Sequence, residues 1–135
     1  MCTKNAGGVS REQARREIGG APGRVPYAYR LRSPITYART LAASCMPIQL
    51  WWSTSDRIVL TPNRQSGRLY HELRRLNPLA PVQSFVGYWT HSAEMRATSR
   101  LPLALAGFDL LPPPSPRTSG LYWTPPPEET CARRA

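Results

Sequence analysis

Two short apolar runs, 48–52 (IQLWW) and 82–87 (VQSFVG), most constrain what this chain can fold into. Both are bounded by turn-forming residues and are too short for ordinary helices, which suits strands buried in a parallel sheet. The stretch between them is long enough for a right-handed crossover. Within it, 66–76 puts Leu69, Tyr70, Leu73 and Leu76 on one helical face, with Ser66 as cap and Asn77-Pro78 as stop. Strand, helix, strand is the unit of an α/β fold.

The flanking segments fit that frame. A capping box, Ser10 to Gln13, precedes a short helix over 11–18 that Gly19-Gly20 ends. Residues 21–32, with Pro22, Gly23 and Pro26, read as loop. Ser33 caps and Pro34 opens a helix over 34–44, where Ile35, Ala38, Leu41 and Ala42 recur at helical spacing. Loops follow the two strands at 53–63 and 88–98. A last helix over 101–109 turns Leu101, Leu105 and Phe108 to a core. Residues 1–10 are small and polar. Residues 112–135 hold seven of the fifteen prolines, a composition that predicts disorder. The expected organisation is a disordered 1–10, a domain over 11–112 with two parallel strands and three to four flanking helices, and a Pro-rich disordered tail over 113–135.

The net charge is +10, and seventeen of the eighteen bases are arginine. They are spread along the chain, with no run of five like charges and no basic cluster interleaved with stacking aromatics, so nucleic acid is not an expected partner. Cys2, Cys45 and Cys131 are too few and too widely spaced for a disulfide framework or a zinc site. Cys45 reads as a small core residue. No apolar window is long enough to span a membrane, and the first ten residues carry no secretory signal. The compartment stays open.

In open parallel sheets, reactive groups gather beyond the carboxyl ends of the strands. Asp56 follows the first strand and His91 the second. If the strands are neighbours, both loops leave the same edge and the two side chains can meet. A carboxylate at imidazole Nδ1–H fixes the tautomer and stabilises imidazolium, which is the acid–base half of an acyl-transfer site. Each residue also has a plain reading, Asp56 as a turn residue and His91 as a solvated loop side chain. Acid before histidine is the α/β-hydrolase order.

PIQLWWSTSDRIV, from Pro47 to Val59, resembles the seventh strand and acid loop of bacterial α/β-hydrolases related to the prolyl oligopeptidase group. GYWTHSAEM, from Gly87 to Met95, resembles their histidine loop. SGRLYHELRRLNPLAPV and RSPITYARTLAASCMP are similar to the intervening and preceding helices. The resemblance covers roughly 11–112. It implies the C-terminal fragment of an α/β-hydrolase fold, with Asp56 as the triad acid and His91 as the general base. The implied substrates are small esters or peptides, hydrolysed without a cofactor.

The family's nucleophile elbow, G-x-S-x-G, is absent, and so is its oxyanion loop. Ser10, Ser66 and Ser119 stand beside or near glycines, but none opens a helix after an apolar strand. Family order puts the elbow before residue 1. The chain is then a truncated product, a mis-started one, or one piece of a split enzyme whose complementing chain supplies the serine. On this reading it is inactive alone, and its sheet has an apolar edge open to aggregation or to another chain. A basic, non-catalytic binding module is the alternative.

Nearby residues take lesser readings. Trp51 and Trp52 place one ring on each sheet face. Tyr88 and Trp89, beside His91, are the substrate-pocket candidates. Glu94, three residues after His91, lacks a third metal ligand, so no metal is expected. His71 sits on the exposed side of its helix. Arg57 competes with His91 for Asp56.

Overall fold

The computed structural model describes residues 8–59, 61–91, 104–108, 110, 121–124, 127 and 131. Four α-helices and three strands fall within them: α1 (Gly8–Ile18), α2 (Pro26–Leu31), α3 (Ala38–Ala43), β1 (Ile48–Ser53), α4 (Ser66–Leu76), β2 (Val82–Gly87) and β3 (Leu121–Thr124). Short 3₁₀ turns at Pro34–Tyr37 and Pro62–Arg64 lead into α3 and α4. The fold is mixed α/β, with β1 and β2 parallel and joined by a crossover through α4.

The pairing is in register from Ile48 opposite Val82 to Ser53 opposite Gly87. The Ile48 amide donates to Pro81 O, and the Thr54 amide to Gly87 O. Even-numbered residues of β1 therefore turn their backbone groups toward β2, and Gln49, Trp51 and Ser53 turn theirs away.

One sheet face packs on α3 and α4. Ala38, Ala42, Leu73, Ala80 and Val82 form its buried core, with Ile35, Leu50, Leu69 and Tyr70 against them. The apolar stripe expected for 66–76 is thus the stripe that is buried. Trp52 lies on this face, its indole N–H donating to Asn63 Oδ1 at 2.5 Å. On the other face Trp51 stacks on Phe85 with ring centroids 3.9 Å apart. Each tryptophan does take a different face. Gln49 and Gln83 reach across this second face to the carbonyls of Ala104 and Gly107. A Cβ on Gly107 would stand 2.5 Å from the ends of both glutamine side chains, so a larger residue here would have to push these amides aside.

Several local expectations are corrected. Helix α1 starts at Gly8, so Ser10 lies in its first turn and not before it. The stop is as expected, with the Gly19 and Gly20 amides closing on Arg15 O and Gly19 at φ +91°. Residues 21–32 are not all loop. Pro26 opens α2, where its fixed φ suits a first helical residue, and Tyr29 is buried with its hydroxyl on Gly20 O. Ser66 does not cap α4. The preceding 3₁₀ turn delivers Gln65 to the cap position, and its carbonyl accepts the Leu69 amide. Within 101–109, one helical turn stands at 104–106 and Phe108 is exposed; Leu101 lies outside the described residues.

The largest departure is in the Pro-rich tail. Leu121–Thr124 forms β3, antiparallel to β2, where disorder was expected. The prolines flank the four-residue LYWT run without interrupting it, so its amides stay available to the free edge of β2. Farther on, Cys131 is disulfide-bonded to Cys45, with Cα atoms 5.7 Å apart. Cys45 is therefore a half-buried cross-link and not a core thiol. The Cys131 amide donates to Leu79 O at 2.9 Å. Asn77 Nδ2 donates to Ala42 O and reaches Cys131 Sγ at 3.5 Å, tying the ends of α3 and α4 to the tail.

Candidate active site

The carboxyl ends of β1 and β2 lie level because their register is unbroken to Ser53 and Gly87. The loops that follow are laced together immediately. Ser53 is almost fully buried at that edge, and its Oγ donates to Trp89 O at 2.6 Å. The same oxygen accepts the Trp89 amide at 2.9 Å and the Ser55 amide at 3.0 Å. One hydroxyl thereby satisfies three backbone groups from two loops.

Beyond this clamp Asp56 and His91 meet. His91 Nδ1 stands 2.9 Å from Asp56 Oδ2. Asp56 Oδ1 accepts the amides of Ile58 and Val59 at 2.8 and 2.9 Å. Both carboxylate oxygens are thus occupied, and the side chain is 9% exposed against 45% for His91. Burial pushes the Asp56 carboxyl up. The His91 hydrogen bond, the two amides and the His91 charge outweigh it, and the carboxyl lies below its ordinary value. An ionised Asp56 requires Nδ1 to carry the proton and donate it. In the neutral imidazole Nε2 would then hold the lone pair, on a half-exposed ring that the carboxylate orients.

Asp56 is a turn residue as well as a partner for His91, because one oxygen serves each purpose. No ion pair joins Arg57 to Asp56 among the described residues. Of the two aromatic pocket candidates, Trp89 is buried at 7% exposure with its backbone held by Ser53, while Tyr88 is 73% exposed. His71 is exposed and packs edge-on to Tyr70. Among the described residues no three His, Cys, Asp or Glu side chains are grouped to hold a metal ion; Glu94 and Ser119 lie outside them. No described helix is long and apolar enough to cross a membrane.

Ser53 escaped the sequence reading. Its signal was available, a small hydroxyl residue closing a bulky apolar strand where the chain leaves the sheet.

Comparison with protein-family models, curated proteins and solved structures yields no match.

Proposed function

We propose that this chain carries the acid and the general base of a serine-hydrolase site, with the nucleophile contributed by sequence outside these 135 residues. The observation that carries the reading is the 2.9 Å contact between His91 Nδ1 and a buried carboxylate that is itself held by two amides. Asp56 fixes the tautomer, and Nε2 takes the proton of an approaching hydroxyl. Asp56 then stabilises the imidazolium, which returns the proton to the leaving group. In the α/β-hydrolase frame the chain is a C-terminal fragment and the substrates are esters or peptides.

The sheet edge supports the same reading. Among the described strands β1 has β2 as its sole neighbour. Its outward backbone groups, on Gln49, Trp51 and Ser53, lie on a strand without the charges or prolines that usually protect an edge. Sequence bearing the nucleophile would add its strands there.

The test is to read the coding sequence upstream of Met1 and its neighbours for G-x-S-x-G after an apolar run. This chain is then expressed joined to, or together with, that product. A serine-reactive phosphonate should label the partner's serine, and His91→Ala should abolish labelling while His71→Ala leaves it intact. Labelling that is independent of His91, or absent with every such product, ends the proposal.

A further inference from the structure

A cavity of about 250 Å³ lies on the helical side of the sheet, separate in its lining from Asp56 and His91. Its walls come from five elements: Ile18 of α1, Tyr29 of α2, Ile35 of the 3₁₀ turn, Leu50 of β1 and Leu69 of α4. A dry apolar cavity of about 150 Å³ is enough to take up benzene. This one is larger but half open to solvent, and it is not purely apolar, since Ser33, Gln65 and Ser66 also line it. Arg32 is the one charged residue in its lining.

Arg32 is exposed, and its Nη1 donates to Ala28 O at 3.3 Å. Among the described residues no carboxylate pairs with it. A residue lining a largely apolar pocket therefore carries five N–H donors in a planar fork with most of their capacity unspent. Largely apolar walls with one unpaired cation complement an apolar tail ending in a carboxylate. A neutral molecule would leave the guanidinium unused. A short polar acid would leave the walls wet.

We propose that this cavity binds a small apolar carboxylic acid, its tail between Leu50 and Leu69 and its carboxylate on Arg32. The site does not depend on the Asp56–His91 pair.

The probe is sodium octanoate, titrated into the full oxidised chain and followed by NMR at the methyl groups of Ile35, Leu50 and Leu69. Saturable shifts at these methyls are expected. Octanol and sodium acetate should bind at least about tenfold more weakly, since each lacks one half of the complement. Arg32→Gln, an exposed substitution that leaves the walls intact, should weaken octanoate about tenfold and bring it level with octanol. Raising the salt should weaken octanoate but not octanol. The proposal is overturned if octanoate does not saturate these methyls, if octanol matches it, or if Arg32→Gln binds as well as the native chain.

Discussion

Reducing the Cys45–Cys131 bond should convert a cooperative fold into a weakly stable one. The bond spans 86 residues. Closing a loop of that length removes about 4–5 kcal/mol of chain entropy from the unfolded state at 25 °C. Total stability for a domain of this size is about 5–15 kcal/mol, so this one bond is a large share of it. For a chain this long the loss corresponds to a fall in Tm of roughly 15 °C. The bond also has a structural reach. Cys131 is the anchor of a tail whose β3 covers the second edge of β2. Odd-numbered residues of β2 face β1, so the amides of Ser84 and Val86 face β3. Calorimetry in a Cys2→Ser background, with and without dithiothreitol, measures the first effect. Hydrogen exchange measures the second: Ser84 and Val86 should lose protection on reduction, while Gln83 and Phe85 keep theirs longer. Melts that coincide within about 3 °C, well below the shift expected for this loop, would show that the cross-link does not stabilise the fold. Unchanged exchange at Ser84 and Val86 would show that it does not hold the tail.

Three further outcomes follow from single side chains. Ser53→Ala should cost about 1–3 kcal/mol in urea denaturation, because it strands the Trp89 and Ser55 amides inside the edge. It should also loosen the Asp56–His91 contact, seen as faster exchange of the His91 Nδ1 proton. Leu73→Ala, at a fully buried position between α4 and the sheet, should cost about 2–5 kcal/mol. The Asp56 carboxyl lies below its ordinary value in the folded chain, so its stabilising contribution is complete above pH 3.8 and is lost as pH falls through the folded value. Native stability should therefore drop more steeply than that of Asp56→Asn on acidification below that point; parallel acid titrations of the two would remove the linkage.

The crossover was legible because periodicity and burial agree in it. Leu69, Tyr70, Leu73 and Leu76 repeat at helical spacing, and that stripe is what the sheet covers. Of the two strands read as buried, β2 is, whereas only the last two residues of β1 are. Features that depend on distant partners were not legible. Nothing local to Cys45 or Cys131 says that a chain 86 residues later returns to within 5.7 Å. Likewise LYWT alone is four residues inside a proline-rich tail, and only the free edge of β2 makes it a strand. The clamp by Ser53 is of the same kind, since its three partners come from two loops that the sequence separates. Pro26 was misread for a different reason. Proline signals both loops and first helical residues, and composition does not choose between them.

The Asp56–His91 contact follows from the backbone more than from the two side chains. Equal strand lengths and an unbroken register bring Ser53 and Gly87 side by side. From there Asp56 is three residues on and His91 four, and Ser53 ties the backbone at Trp89 before the second loop can diverge. Asp56 is then fixed by its own turn, because Oδ1 is committed to Ile58 and Val59. Only His91 retains freedom, and its one described partner is Oδ2. The acid is thus held by its own loop as well as by the histidine, and the imidazole is the more exposed partner. That arrangement suits the proton-carrier role proposed for His91, which asks for a carboxylate fixed while charge develops on the ring and an Nε2 that a hydroxyl could reach.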